Sequence, residues 1–387
     1  MKLAKRMGNV APYLFASMNA VKAQLRERGV DIVDMSIGDP DIPTPGHIID
    51  RLCKAARNPE NHRYPPYEGT MGFKSAVAAY YRKRFGVELD PRSEVMTLIG
   101  SKEGLAHLIW ALVDEGKYAL LPDPAYPVYD TQVGLAGGSA YKMPLREENG
   151  FLPVLEDIPS EVARNASIMF LNYPNNPTGA VATLDFFRQA AEFCKDYDIV
   201  LCHDAAYVDI GFDGFVPPSA LQASKHQVVE TYSLSKPFNM TGWRIAAIVG
   251  SADVIGKGIG IIKTNTDSGQ FNAIQEAGEA ALGEEPEKHI AANVAAYQAR
   301  RDVMVEALNK AGLRAEKPKG TFYLWVRVPQ GETSASFAQK LLEKTAILVT
   351  PGSSYGKYGE GYVRMSLSVP TERVQEAARR LEATCLS

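Results

Sequence analysis

The residues with the clearest chemical potential lie in the run YSLSKPFNMTGWRIAAIVG, residues 232–250. Lys236 carries an amine, which can form a Schiff base with an aldehyde. Ser233 and Ser235 lie just before this lysine, and Arg244 lies eight residues after it. Two hydroxyls and a guanidinium close together suit a phosphate dianion. Because pyridoxal 5′-phosphate carries both an aldehyde and a phosphate, the run predicts a binding site for this cofactor.

A second candidate segment is CHDAAYVDI, residues 202–210. The carboxylate of Asp204 follows a predicted strand and suits the ring nitrogen of such a cofactor, which it would keep protonated. Tyr207 lies three residues further on and suits the 3′ oxygen of the ring. Taken alone, the segment is also typical of an acidic surface turn with a packing tyrosine, so the functional interpretation depends on Lys236.

Two further segments have both a structural and a functional interpretation. GSKEGLAHL, residues 100–108, opens a predicted helix, and the free N–H groups at a helix N-terminus suit a phosphate near Ser101 and Lys102. A Gly-Ser pair before a helix is also an ordinary cap. NYPNNPTGA, residues 172–180, is rich in turn formers, yet it also offers the side-chain amide of Asn176 to the 3′ oxygen of the cofactor.

Arg364 is the candidate for binding a substrate carboxylate. It lies in YVRMSLSVP, residues 362–370, and a guanidinium on a strand presents a planar fork that suits a carboxylate. For an isolated arginine in a strand, a salt bridge at the rim of the sheet is the plainer interpretation.

Taken together, these segments resemble the class I/II aminotransferases, the fold-type I family of pyridoxal-phosphate enzymes. The matching positions run from residue 38 to residue 364 in the family's order, so the resemblance covers nearly the whole chain. It implies that Lys236, Asp204 and Tyr207 are catalytic. It implies a cofactor site formed by Ser101, Lys102, Tyr126, Asn176, Asp204, Tyr207, Ser233, Ser235, Lys236 and Arg244, with Tyr64 reaching in from a neighbouring subunit.

The same resemblance implies the reaction and the assembly. Lys236 would hold the cofactor and move the proton that leaves the substrate Cα. A second keto acid, commonly 2-oxoglutarate, would then take the amino group from the cofactor, which gives a ping-pong kinetic pattern. Gly38 and Asn176 would lie with Arg364 around the substrate α-carboxylate. An obligate homodimer with shared active sites is implied, together with a cis peptide bond between Asn176 and Pro177.

Several longer strings are similar to LL-diaminopimelate aminotransferases of the bacterial type. They are HRYPPYEGTMGF, LIGSKEGLAH, PDPAYPVYDTQVGLAGG, MPLREENGFLP, MFLNYPNNPTGAVA and TNTDSGQFNAIQEAG. This similarity implies LL-2,6-diaminopimelate and 2-oxoglutarate as a substrate pair in lysine biosynthesis. Lys102 and Asn272 match positions that some members use for the distal head of the substrate, with Asn272 supplied by the partner chain. Tyr67 stands where plant-type members carry a glutamate, so aspartate, alanine and aromatic amino acids stay open as alternative substrates.

Three rival functions are compatible with parts of the sequence. Ser233-x-x-Lys236 also fits the S-x-x-K motif of serine β-lactamases and penicillin-binding proteins, but the S-D-N motif is missing and KTN at residues 263–265 only approaches K-T-G. A regulatory ligand sensor on the same fold would need a helix-turn-helix module before the core. A pyridoxal-phosphate C–S lyase stays open as a third alternative.

The predicted elements explain how these distant segments could meet. Between residues 95 and 250, short apolar runs alternate with helical patterns, which predicts βαβ units and a mostly parallel central sheet with flanking helices. The clusters at residues 100–102, 175–176, 203–204 and 233–236 each follow a predicted strand, and ligands bind at the carboxyl ends of such strands. From residue 284 a long helix (284–311) leads into a smaller α+β domain.

The expected domain organisation is therefore an N-terminal arm with part of the small domain (residues 1–45), a large cofactor-binding domain (46–283) and a small C-terminal domain (284–387). A net charge of −3 argues against a nucleic-acid or membrane-surface protein. The four cysteines and six histidines show no metal-type spacing, and no export signal or apolar span is visible. We therefore expect a reduced cytoplasmic protein without a metal site.

Overall fold

The computed structural model describes residues 1–9, 22, 24–25, 27–283 and 285–384. The helical periodicity of SMNAVKAQLRER also predicts a helix at residues 17–28, but most of these residues, like Cys385, lie outside the described part of the chain. Within the described part of the chain, no helix is both long enough and apolar enough to cross a membrane.

Twelve strands occur among the described residues, and most match predicted ones. They are β1 (Val33–Asp34), β2 (Val95–Leu98), β3 (Tyr118–Asp123), β4 (Ser139–Pro144), β5 (Ala166–Leu171), β6 (Val200–Asp204), β7 (Val228–Ser233), β8 (Ala246–Gly250), β9 (Tyr323–Arg327), β10 (Ile347–Leu348), β11 (Thr350–Pro351) and β12 (Tyr362–Ser366). The strand β4 was not predicted, because its sequence SAYKMP has few apolar residues and the strand lies at the edge of its sheet.

The α-helices of the described chain lie between and around these strands. They are α1 (Gly46–Ala56), α2 (Met71–Phe85), α3 (Ser101–Leu112), α4 (Val128–Ala136), α5 (Ser160–Ala163), α6 (Leu184–Asp196), α7 (Gly260–Thr266), α8 (Asn272–Gly283), α9 (Pro286–Lys310), α10 (Ser334–Thr345) and α11 (Thr371–Glu382). The helix α9 accounts for the long helix predicted at residues 284–311, and a π-helical turn, Val254–Ile259, leads into α7.

A seven-stranded sheet forms the largest layer, in the order β2-β8-β7-β6-β5-β3-β4. All neighbouring pairs are parallel except those of β8, which runs antiparallel to β2 and to β7. The central strands β6 and β7 are buried along their whole length, as expected for parallel strands covered by helices on both faces. The predicted mostly parallel sheet with flanking helices is confirmed.

Local sequence explains how individual helices begin and which face they bury. In α6 the side chain of Thr183 caps the N-terminus by accepting a hydrogen bond from the backbone N–H of Phe186. Phe187, Ala190 and Cys194 recur at helical spacing and are buried, so this face of the helix packs into the core.

A second group of elements surrounds a three-stranded antiparallel sheet in the order β11-β12-β9. The short strand β1 pairs in parallel with β10, so the N-terminal region joins this group, as the sequence suggested. One apolar core contains residues of β1, β9, β12 and α11 together with Tyr207, Ile210 and Phe212. The domain boundaries at residues 45 and 283 stay a prediction, because Tyr207, Ile210 and Phe212, which belong to the predicted large domain, also pack in this core.

Candidate active site

A cavity of about 280 Å³ lies at the carboxyl ends of the sheet strands. Its walls come from β6, β7 and the N-terminus of α3, and from β9 and β12 of the second sheet. Twelve of the predicted site residues line it: Gly38, Ser101, Lys102, Tyr126, Asn176, Asp204, Tyr207, Ser233, Ser235, Lys236, Arg244 and Arg364. The four polar clusters predicted at strand ends therefore converge on one cavity.

Lys236 follows β7 and extends its amine into the cavity. Its Nζ donates a hydrogen bond to the carbonyl oxygen of Gly38 at 2.8 Å. Burial lowers the pKa of Lys236 to about 8, although the nearby carboxylate of Asp39 acts in the opposite direction. With a pKa of about 8, about a tenth of the amine is neutral at pH 7 and about half at pH 8, and the neutral amine is the state needed for a nucleophile or a base.

Asp204 ends β6 and is buried in the cavity wall. Its Oδ2 accepts a hydrogen bond from the hydroxyl of Tyr129 at 2.7 Å, and its Oδ1 accepts one from the hydroxyl of Thr231 at 3.1 Å. Burial raises the pKa of Asp204, while these two hydrogen bonds favour its charged form. Thr231 lies directly opposite Asp204 in the β6–β7 register. Neither Tyr129 nor Thr231 was predicted from the sequence, because Thr231 reaches this carboxylate only through the strand pairing and Tyr129 only through the packing of the helix α4.

The N-terminus of α3 forms a cradle suited to an anion. Gly100 precedes the helix with a φ of 75°, and a side chain at this position would overlap the guanidinium of Arg244. The buried Oγ of Ser101 has no hydrogen-bond partner among the described residues. Ser233 and Ser235 are also buried at this end of the cavity. Backbone N–H groups, hydroxyls and a guanidinium at one place match the chemistry of a phosphate.

The loop after β5 is held in place by Asn172. The Nδ2 of Asn172 donates to the carbonyl oxygen of Asp204 at 2.6 Å, and its Oδ1 accepts from the backbone N–H of Asn176 at 2.8 Å. The peptide bond between Asn176 and Pro177 is cis, so this prediction is confirmed. The Asn176 side chain lies in the cavity wall, next to both Asp204 and Arg364.

Arg364 is buried and lines the same cavity. Its Nη1 donates to Oδ1 of Asn176 at 2.9 Å, and its Nη2 donates to the carbonyl oxygen of Ser36 at 2.6 Å. The buried Nε has no partner within the described part of the chain. A buried guanidinium with an unused N–H, beside a cavity, suits a carboxylate of a ligand.

Several aromatic rings complete the walls. Tyr126 lines the cavity, and its ring meets that of Tyr129 edge to face, with centroids 5.8 Å apart. The hydroxyl of Tyr207 lies 3.0 Å from the hydroxyl of Tyr323, and burial raises the pKa of Tyr207, so its proton is retained at neutral pH. Tyr323 and Tyr355 also line the cavity, although the sequence analysis did not single them out.

Three predicted site residues do not line the cavity of this protomer. The side chain of Tyr64 is 89% exposed, that of Tyr67 is 49% exposed, and Asn272 lies at the start of α8. The backbone of Tyr67 lies beside Gly269, three residues before Asn272, so the segments that carry Tyr67 and Asn272 are neighbours. Their role as contributions to a partner's site stays a prediction.

A cluster of Glu103, His107 and Asp267 has ligand atoms within 4.8 Å of one another, but a lysine lies among them. The buried Nζ of Lys263 is 3.3 Å from Glu103 Oε1 and 3.0 Å from Asp267 Oδ1. An ammonium group thus supplies the positive charge between these carboxylates.

His203 precedes Asp204 but does not line the cavity. Its Nδ1 lies 2.7 Å from Glu230, and its Nε2 lies 2.8 Å from the carbonyl oxygen of Tyr173.

Comparisons with known proteins show the family of this chain. The profile of the family described as aminotransferase class I and II matches residues 30–381. An LL-diaminopimelate aminotransferase of Moorella thermoacetica is 55% identical over 98% of each chain, and one of Syntrophobacter fumaroxidans is 50% identical over 98% of this chain and 97% of the relative. The substrate-bound structure of BacF from Bacillus subtilis is 39% identical, with a TM-score of 0.95 over 100% of this chain and 98% of its own.

Proposed function

Because this chain belongs to the class I and II aminotransferases, we propose that it transfers an amino group between LL-2,6-diaminopimelate and 2-oxoglutarate, with pyridoxal phosphate bound in the cavity. One observation carries the proposal: the Lys236 amine, the Asp204 carboxylate and the Arg364 guanidinium line a single cavity. The names of relatives at about half identity over nearly the whole chain support the substrate and a place in lysine biosynthesis. Because the proposed reaction is biosynthetic, we also propose that the protein works in the cytoplasm.

The anion cradle is the proposed site of the cofactor phosphate. Ser101, Ser233 and Ser235 would donate hydroxyl hydrogen bonds, and Arg244 would neutralise the charge. The orphaned hydroxyl of Ser101 and the absence of a side chain at Gly100 both fit a bound phosphate. Tyr126 offers an aromatic face to the cofactor ring, and Lys102 lies at the same helix N-terminus. Bound pyridoxal phosphate supplies an aldehyde carbon that holds the amino group and a ring that withdraws electrons.

Lys236 is the group that moves the proton. With its pKa lowered to about 8, the amine is basic enough to accept the proton from the substrate Cα and is still partly neutral at pH 7 to 8. When the amine is free, the carbonyl oxygen of Gly38 accepts a hydrogen bond from its Nζ and so orients it. The same amine is the attachment point of the cofactor between turnovers.

Asp204 and Tyr207 set the electronic properties of the cofactor ring. A charged carboxylate beside the ring nitrogen keeps that nitrogen protonated, which strengthens the ring as an electron acceptor. The hydroxyls of Tyr129 and Thr231 stabilise this charge in a buried place. Tyr207 and Asn176 both line the cavity and can donate hydrogen bonds to the 3′ oxygen of the ring.

Arg364 is the proposed carboxylate binder of both substrates. Its Nη1 and Nη2 are already fixed by Asn176 and Ser36, so the guanidinium need not be ordered when a substrate binds. The unused Nε–H and the remaining N–H groups are the donors available to a carboxylate.

A homodimer would complete the site. Tyr64 and Tyr67 are large exposed side chains, and the segment of Tyr67 lies beside the one that leads into Asn272, which favours contact with a second subunit here. In this arrangement Tyr64 reaches the partner's cofactor phosphate, while Asn272 and Tyr67 help Lys102 to bind the distal head of the substrate.

An amino-donor panel tests the proposal. Purified protein loaded with pyridoxal phosphate is incubated with 2-oxoglutarate and with LL- or meso-diaminopimelate, aspartate, alanine or phenylalanine, and glutamate formation is measured. The proposal expects the highest kcat/KM with LL-diaminopimelate. A higher value with another donor would reassign the substrate, and pyruvate and ammonia from cystathionine without amino transfer would favour a C–S lyase.

A further inference from the structure

We infer that Tyr323 is a positioning residue that joins the substrate side of the site to its cofactor side. Its ring holds the guanidinium of Arg364, and its hydroxyl orients the hydroxyl of Tyr207. This inference rests on the function proposed above, and it assigns to one side chain two separable effects on that function.

The strand pairing brings the ring of Tyr323 to Arg364. In the antiparallel pair β9–β12, Tyr323 of β9 lies opposite Ser366 of β12. Arg364 precedes Ser366 by two residues on β12. Side chains related in this way share one face of the sheet as diagonal neighbours. The guanidinium carbon of Arg364 lies 4.2 Å from the centroid of the Tyr323 ring and 4.9 Å from that of Tyr355. This close contact between a cation and an aromatic face is attractive, and most of it is buried.

The ring of Tyr323 completes the restraint on the guanidinium. Two of its nitrogens donate to Asn176 and Ser36, which fixes their directions. The aromatic face then fixes the plane, so that the unused Nε–H keeps one orientation. We expect removal of the ring to loosen the plane while leaving the charge and both hydrogen bonds in place.

The hydroxyl of Tyr323 acts on a different residue. It lies 3.0 Å from the hydroxyl of Tyr207, and both side chains are buried. When Tyr323 donates this hydrogen bond, the proton of Tyr207 is left for the 3′ oxygen of the cofactor. The backbone of Gly38 passes so close to the Tyr323 hydroxyl that a methyl group at residue 38 would overlap it. The position of the hydroxyl is therefore fixed from both sides.

Two substitutions separate the effects. Tyr323→Phe keeps the ring and removes the hydroxyl, whereas Tyr323→Leu removes both; Tyr323→Met is a second variant without the ring if the leucine variant does not fold. Tyr297→Phe is the matched control for hydroxyl loss, because the Tyr297 hydroxyl is buried in the same core without a hydrogen-bond partner among the described residues. Phe337→Leu is the matched control for ring loss in that core.

The readouts are binding and spectroscopy as well as activity. In Tyr323→Phe, weaker donation by Tyr207 leaves the cofactor oxygen more basic, so the midpoint of the pH titration of the bound cofactor's visible absorbance should move to higher pH. Affinity for 2-oxoglutarate, followed by the same absorbance, should stay within about twofold in this variant. In Tyr323→Leu the affinity should also fall about tenfold, as expected for loss of a buried cation–π contact.

If the Tyr323 variants match their controls in both readouts, the inference about Tyr323 is overturned while the proposed function stands. A titration midpoint that is unchanged in Tyr323→Phe, or an affinity for 2-oxoglutarate that falls equally in Tyr323→Phe and Tyr323→Leu, would have the same consequence. If the wild-type protein takes up no pyridoxal phosphate, the proposed function fails and the inference fails with it.

Discussion

The hydroxyl of Tyr129 donates a 2.7 Å hydrogen bond to Oδ2 of Asp204, and both groups are buried. This contact counters burial, which raises the pKa of Asp204. A carboxylate that is harder to protonate leaves the proton on the ring nitrogen of the cofactor, where it increases electron withdrawal. We therefore propose that Tyr129, which does not itself line the cavity, supports the charge of Asp204 beside the cofactor.

Replacing Tyr129 with phenylalanine tests this relationship. We expect Tyr129→Phe to raise the proton affinity of Asp204 and to lower kcat about tenfold, because a hydrogen bond to a charged group is worth about 1.5–3 kcal/mol. KM should change little, since Arg364 is untouched. Steady-state kinetics measure both constants. Tyr141→Phe, which loses a hydrogen bond to a backbone carbonyl at an exposed site, is the control and should keep wild-type kcat; an equal loss of kcat in the two variants would contradict the role of Tyr129.

The lowered pKa of Lys236 predicts how the apoprotein takes up its cofactor. Only the neutral amine attacks an aldehyde, so the initial rate of covalent uptake should rise as pH increases through about 8 and level off above it. The model compound Nα-acetyl-lysine amide has an ordinary side-chain amine pKa of about 10.4, so its rate of reaction with the cofactor should not level off in this pH range. Borohydride trapping between pH 6 and 9.5 measures the rate. A rate that still climbs steeply at pH 9.5 would contradict the predicted environment of Lys236.

Arg364 should matter for substrates and much less for the cofactor. Arg364→Ala removes a charge-assisted partner of the carboxylate, and a loss of about 1.5–3 kcal/mol corresponds to a tenfold to hundredfold weaker affinity for 2-oxoglutarate. Arg364→Lys keeps the charge and loses the planar fork, so we expect an intermediate value. Titration of the apoprotein with pyridoxal phosphate should give nearly wild-type affinity in both variants, and an equal loss for cofactor and substrate would disprove the assignment.

The buried cluster around Lys263 is expected to contribute to stability. Lys263→Met leaves the carboxylates of Glu103 and Asp267 without their cation, and breaking a buried ion pair on one side costs about 3 kcal/mol of unfolding free energy. Lys257→Met removes an exposed pair with Asp253 and should cost less than about 0.5 kcal/mol. Urea unfolding of both variants measures the difference, and similar midpoints would show that the cluster adds nothing.

Local signals in the sequence were sufficient for most of the elements, though not for the edge strand β4, and for most of the cavity wall. The apolar run VVETYS predicts the strand β7 at its observed bounds, and the capped pattern at residues 334–345 does the same for α10. Turn formers and polar residues after such strands then place Asn176, Asp204 and Lys236 at one edge of the sheet. These predictions need only periodicity and the rule that parallel strands end together.

What the sequence could not predict depends on pairing between distant segments. Thr231 reaches Asp204 only through the β6–β7 register, and Tyr323 reaches Arg364 only through the β9–β12 register. A buried tyrosine in a strand pattern looks like any other core residue until its neighbour across the sheet is known. The partners of Tyr64 and Asn272 depend on a second chain and stay predictions for the same reason.

Peptide mapping after borohydride reduction tests the central claim most directly. Reduction of the protein loaded with pyridoxal phosphate should place one phosphopyridoxyl group on the peptide that contains Lys236. Incubation with LL-diaminopimelate before reduction should abolish this label, because the amino group moves onto the cofactor and frees the lysine, and later addition of 2-oxoglutarate should restore it. A label on another lysine, or a Lys236 label that persists after incubation with LL-diaminopimelate, would contradict the account.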